Sequence, residues 1–114
     1  MISSGAKMSL DVYLEEVKPV DIYHGNITHN LNQMAIMAGV YDYLWNPEIF
    51  KITQASELIK PLQDGLKKLN QSPNYFKKMN PINGWGTYED LIKFIENYLQ
   101  ACIMNPLAKV KVCR

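Results

Sequence analysis

Residues 9–17, SLDVYLEEV, set Leu10, Val12 and Leu14 on one side and Asp11, Tyr13 and Glu15 on the other. Alternation with period two means a strand with one apolar face. Such a strand must hide that face under something else, and its edges must be paired or covered. A second alternating run, VDIYH at 20–24, follows Lys18-Pro19 closely enough to return as a hairpin, with Val20, Ile22 and His24 on one side. Near the other end of the sequence AKVKVCR alternates Val110 and Val112 with lysines. A short third strand is therefore expected there, paired with the first, and everything between must bring the chain back to its start. The expectation is an α+β fold: a short antiparallel sheet of three strands whose apolar face is covered by three main helices.

Between the strands the period becomes helical. A first helix is expected from an N-cap at Asn26 or Thr28 to about Trp45, where Asn46-Pro47-Glu48 stops it. Its second half, MAIMAGVYDYLW at 34–45, holds no lysine, arginine or glutamate and a single aspartate. A helix apolar on every side has to be buried on every side. In 114 residues that requires either a central helix wrapped by the others or a surface shared with a second copy in a homo-oligomer. A second helix, Gln54 to Asn70, places Leu58, Ile59, Leu62, Leu66 and Leu69 on one stripe, with Pro61 bending it or marking its true start. Ser72 and Pro73 open a short helix that ends before Pro81. Thr87, with Asp90 three residues on, opens the last helix in near capping-box form; it runs through Leu91, Phe94, Ile95, Tyr98 and Cys102 toward Pro106.

Composition narrows the function classes. The chain is 47% apolar and 20% charged, as ordinary globular domains are, and no apolar run approaches the ~20 residues of a membrane span. A formal charge of +1 argues against a nucleic-acid polymer as the main partner. Two cysteines build no disulfide framework, and Cys102 falls on the apolar stripe of the last helix, which fits a reducing, cytoplasmic setting. MISSGAK lacks the apolar core of a signal peptide, so residues 1–7 are expected to be a flexible leader and 8–114 a single domain.

Two segments look built for recognition. In NGWGTYED, Asn83-Gly84 signals a turn, and Gly86 before the cap Thr87 lets the backbone come close to a helix N-terminus. Free N–H groups there suit a phosphate or carboxylate, and Trp85 adds a flat face beside them, which is what a nucleotide-like ligand requires. The competing reading makes Trp85 a core plug. In HGNITHNLNQM, a helix running from the cap would align Asn26, His29, Asn30 and Gln33 at i, i+3, i+4 and i+7, a row of neutral groups that both donate and accept. That row reads a polar ligand or forms a buried network with the sheet.

Chemistry is harder to assemble. His24 and His29 are five apart across a strand-to-helix turn with no third ligand in reach of the pattern, so no metal is expected. Neither the P-loop nor the dinucleotide fingerprint occurs, and no cofactor is expected. A His29 general base oriented by Asp11, Glu15 or Glu48 would depend on folding, since no serine or cysteine sits in an elbow motif.

SLDVYLE, NITHNLNQMAIMAGVYDYLWNPE, the long stretch from LIKPLQDGL to NYLQAC and the closing AKVKVCR together resemble a group of small proteins encoded by bacteriophages, prophages and bacteria, over nearly the whole chain from Met8. The most specific pieces are Asn26-Ile-Thr-His-Asn30 and Asn83-Gly-Trp-Gly-Thr-Tyr-Glu89. The resemblance implies a phage context, with the host cytoplasm as its location, and a binding or sequestering accessory role rather than a housekeeping enzyme; it carries no mechanism. The expected function is capture of a small polar or nucleotide-like ligand, a host defence signal in that context, between Asn26, Thr28, His29, Asn30 and Gln33 on one side and Asn83, Gly84, Trp85, Gly86 and Thr87 on the other. The alternatives are an inhibitor that binds a host protein through Tyr41, Tyr43, Trp45 and Phe50, and a small hydrolase or transferase using His29.

Overall fold

The computed structural model describes residues 8–16 and 21–114; the expected leader at 1–7, the Lys18-Pro19 turn and Val20 lie outside them. Strands β1 (Ser9–Glu15), β2 (Asp21–Thr28) and β3 (Lys109–Cys113) form one antiparallel sheet in the order β2-β1-β3. The strand with the cleanest alternation is thus the central one. Leu10, Val12 and Leu14 are fully buried beneath it, each contributing about 1.5–3 kcal/mol of apolar transfer. The α+β expectation holds.

The second strand departs from its sequence reading. It continues four residues beyond His24, and it is Tyr23, Gly25 and Ile27 that stand opposite Leu14, Val12 and Leu10. The register shifts between Leu14 and Glu15, whose partners are Tyr23 and Asp21. Ile22 falls in this bulge, so the apolar parity read from Val20, Ile22 and His24 is offset by one and His24 turns to the outer face. There its Nε2 meets Asp11 Oδ1 at 2.8 Å and its ring stacks on Tyr13 at 4.8 Å, with Lys111 Nζ 5.0 Å from the same Tyr13 ring.

The long first helix is divided in two: α1 (Asn32–Met37) and α2 (Tyr41–Trp45), preceded by a single 3-10 turn at His29–Leu31. Gly39 causes the break. At φ 78° it occupies the left-handed region, its N–H reaches Ile36 O and the Val40 N–H reaches Ala35 O, the paired bonds of a Schellman stop. Two short axes now share the apolar residues that one long helix would have spread around its circumference. Met34, Ala35, Ala38, Leu44 and Trp45 turn inward while Ile36 remains 48% exposed. No single all-apolar helix is formed over these residues, and the apolar side chains left exposed on α1 are Ile36 and Met37, the latter at 36%.

Helices α3 (Ser56–Gln71), α4 (Pro73–Lys77) and α5 (Tyr88–Met104) follow the sequence closely. Pro61 lies inside α3, whose buried stripe is Leu58, Leu62, Gly65 and Leu69. Thr87 caps α5 and the box closes both ways: Asp90 N–H donates to Thr87 Oγ1 at 3.1 Å and Thr87 N–H to the Asp90 carboxylate at 3.0 Å. Ser72 holds the N-cap position of α4 without a side-chain bond, and Pro73 supplies the first turn. The buried face of α5, with Leu91, Phe94, Ile95, Tyr98 and Cys102, joins the sheet and α3 in one apolar cluster.

The two outer strands differ at their free edges. β3 is covered by the chain itself: Val110 N–H donates to Thr53 O at 2.9 Å, and Gln54 bridges Lys109. Beyond β2 no further strand pairs among the described residues, and α5 runs alongside it.

Gly65 admits the Val40 turn against α3, because a Cβ there would overlap the Val40 side chain. Gly65→Ala is expected to destabilise by about 1–3 kcal/mol through overpacking, read as a lower urea midpoint. With Val40→Ala added, the double variant should lose less than the sum of the two single losses.

Candidate functional site

A groove of about 920 Å³ runs between β2 and α5. Every residue of the strand from Ile22 to Thr28 lines one side. Alternate side chains alone would contribute every second residue, so an unbroken run means that the main chain itself forms the wall. Across from it stand Lys93, Asn97 and Gln100 of α5, which share a helix face because they are four and three apart. Tyr23 and Phe94 pack below: the Tyr23 hydroxyl and the Phe94 ring close over Gly25, where a Cβ would stand 2.8 and 3.2 Å from them. One end is formed by Trp85, Gly86 and Asp90.

The 81–87 loop is built to hold Trp85 out. Asn83 Oδ1 accepts the Trp85 N–H at 2.9 Å, Pro81 O accepts the Gly84 N–H at 3.1 Å, and Asn80 Oδ1 accepts the Tyr88 N–H at 2.7 Å. Gly86, at φ 110°, lies against Thr28 and Leu31, where a Cβ would be 2.7 Å from Thr28 Cγ2. The backbone is pressed onto the end of β2 and the ring projects outward, 61% exposed. Trp85 is not a core plug.

These bonds also decide what the loop does not do. Most of the N–H groups expected to cradle a phosphate are already engaged: Thr87 and Asp90 in the capping box, Tyr88 on Asn80, Trp85 on Asn83. Asp90 adds a carboxylate at the same place. A phosphate would meet a negative charge and a depleted set of donors.

Of the residues singled out in the sequence, Asn26, Thr28, Trp85 and Gly86 line the groove; segments almost sixty residues apart do meet. The helical row is dissolved. Asn26 belongs to β2, where its amide nitrogen donates to Ser9 Oγ at 2.8 Å and Asp11 Oδ1 at 3.0 Å on the outer sheet face. Thr28 caps the 3-10 turn, accepting from Asn30 N at 3.2 Å and Asn30 Nδ2 at 3.1 Å. Gln33 is exposed on α1. His29 Nδ1 accepts the Trp45 indole N–H at 2.8 Å, so its ring satisfies a tryptophan that is only 3% exposed. An indole occupies the position at which a catalytic histidine would need its substrate or its orienting carboxylate. Asn83, Gly84 and Thr87 shape the loop without lining the groove. Of the aromatic surface proposed for a protein partner, Trp45 is buried with Tyr41 stacked on it at 4.9 Å, while Phe50 is 43% exposed with Tyr43 stacked on it at 4.2 Å.

The sequence reading missed Lys93, Asn97 and Gln100. Their signal was present as a polar stripe at helical spacing, but on an amphipathic helix such a stripe looks like any solvated face.

Two interacting ionisable groups, Tyr23 and Cys102, lie beside the groove. Burial raises the Tyr23 hydroxyl above the ordinary phenol range, reinforced by Cys102, and burial alone pushes the Cys102 thiol up to about 12. Both stay protonated near neutrality, and a protonated thiol is a poor nucleophile. Among the described residues no cluster of three or more histidine, cysteine or acidic side chains can hold a metal, and no helix is long and apolar enough to cross a membrane. No family model, curated protein or solved structure matches the chain.

Two substitutions separate the roles of the two motifs. Trp85→Ala should leave the urea midpoint near wild type, within about 0.5 kcal/mol, since an exposed ring is removed. His29→Ala should cost about 1–3 kcal/mol by orphaning the buried indole N–H. A large loss from the first, or none from the second, would reverse these assignments.

Proposed function

We propose that this chain is a binding module, of the accessory kind implied by its resemblance to phage-encoded proteins, that sequesters a polar ligand in the groove between β2 and α5. The observation that supports this is Trp85. A large apolar ring held outward by hydrogen bonds to its own loop, at the end of a groove lined with amides, has no use in folding that an alanine would not serve. Tryptophan presented this way supplies flat contact area, and Asn97, Gln100 and Lys93 supply adaptable donors and an acceptor or two along the opposite wall. The protonated phenol and thiol, and the indole partner of His29, favour binding over chemistry.

The expected ligand changes with the geometry. A flat group against Trp85 keeps its support, whereas the phosphate half of a nucleotide would find most of the entrance donors engaged and the Asp90 carboxylate beside it. Lys93 is a single cation with Asp90 on the same helix. The favoured ligand therefore presents hydrogen-bonding groups along its length and no concentrated negative charge.

Fluorescence offers a direct test, since the protein has two tryptophans and only Trp85 is exposed. A thermal-shift screen with nucleotides, cyclic dinucleotides and synthetic peptides should find ligands whose binding changes Trp85 emission. A ligand at a hundred times its dissociation constant adds about 2.7 kcal/mol of stability. For such a ligand Trp85→Ala should weaken binding roughly 5- to 150-fold, the equivalent of a lost stacking face at about 1–3 kcal/mol. Ligands that bind with equal affinity to the wild type and to Trp85→Ala would remove the site from this groove.

A further inference from the structure

Resting on the groove as the binding site, we infer that its occupant is an extended polypeptide segment that adds to the free edge of β2 as a fourth strand. The inference starts from hydrogen-bond parity. The His29 N–H bonds Met8 O at 3.2 Å, continuing the register in which Leu10 faces Ile27, Val12 faces Gly25 and Leu14 faces Tyr23. In an antiparallel ladder the residues that exchange bonds alternate with those that do not. Tyr23, Gly25 and Ile27 therefore point their N–H and C=O groups at β1, and those of His24 and Asn26 point the other way, into the groove. The opposite edge of the sheet verifies the parity. Val110 faces Leu14 across β1 but gives its N–H outward to Thr53, as the same alternation requires.

An outward row of main-chain donors and acceptors is complementary to another extended chain and to little else of that length. From Ile22 to Thr28 the wall extends about 20 Å at 3.3 Å per residue, room for about six residues. A strand paired to β2 would lie about 4.8 Å from it, in the space whose far side is α5. That far wall favours one extended segment over the open sheet of a second copy, because α5 closes the place where a further strand would continue. Asn97 and Gln100 both donate and accept, so they can pair with the peptide's other edge. Trp85 stands at the Thr28 end to receive a flat side chain. Strand addition of this kind takes affinity from the main chain and selectivity from the pockets beside it.

The test uses the full chain and a displayed library of random heptapeptides, followed by synthesis of the enriched sequences. Hydrogen exchange should show the His24 and Asn26 amides becoming protected in the complex, while those of Tyr23, Gly25 and Ile27 are protected with and without peptide. N-methylation at alternate positions of the bound core should split by parity, with one set losing about tenfold or more per site, the fold-change of about 1.4 kcal/mol, and the other set nearly unchanged. Gln100→Trp, which fills the groove from an exposed position, should abolish peptide binding with the urea midpoint retained. Peptides that bind in a Trp85-dependent way without protecting His24 and Asn26, or without parity in the methylation series, overturn strand addition and leave the groove as the site. A library that enriches nothing, alongside nucleotides that bind through Trp85, does the same. Peptides indifferent to both Trp85 and the β2 amides overturn the inference and the proposed site together.

Discussion

Strand β1 is hydrogen-bonded on both edges, and the arrangement of the rest of the molecule follows from that. Its neighbours come from the near and far ends of the chain: β2 begins six residues after it, whereas β3 begins at Lys109. The ion pair between Lys111 and Glu15 at 3.3 Å joins positions 96 residues apart. With β1 central, the alternating set Leu10, Val12, Leu14 becomes the floor of the core, and α3 and α5 are required above it. Placing β1 in the middle also fixes which strands are edges. One edge is closed by Thr53 and Gln54; the other faces the groove.

The same hydrogen-bonding economy governs the loop before α5. Donors at a helix N-terminus attract anions only while they are free. Here Thr87, Asp90, Asn80 and Asn83 satisfy most of them, and the result is a hydrogen-bonded loop that keeps Trp85 exposed. Bracing the loop and binding an anion are alternative uses of one set of N–H groups, and this loop uses most of them for bracing. Beside Trp85 and Asp90 the groove offers the amides of Asn97 and Gln100, Lys93 and a strand edge, the groups on which the proposed capture of an extended polar ligand rests.

Much of the fold was legible from spacing. The alternation in β1 and β3, the capping box at Thr87 and Asp90, the Ser72-Pro73 start and the leucine stripe of α3 are all local signals, and each is backed by physics that acts over a few residues. What failed was also local in origin. Asn26 is a good cap, but the pairing of β1 with β2 carries the strand past it to Thr28, which is the cap the structure uses, since cross-strand bonds at Leu10–Ile27 and beyond outweigh the helical start that Asn26 would provide. Gly39 stops α1 by taking the left-handed conformation at φ 78°, which the spacing of the apolar run around it does not mark. A bulge at Ile22 is invisible in sequence because period two on either side of it looks the same.

Sequence by itself determined the class of the protein: a three-stranded antiparallel sheet under helices, a capped last helix, and a tryptophan set between glycines. Those features depend on side-chain period and on contacts within a turn or two, which the order of residues encodes directly. Only tertiary structure decided that Trp85 is exposed, that His29 serves Trp45, and that Asn26 and Thr28 meet Trp85 and Gly86. It also decided that Lys93, Asn97 and Gln100 face a strand edge instead of open water. The reason is that each depends on which strand is central and in which register it pairs, and pairing between distant segments is chosen by burial of the whole apolar face.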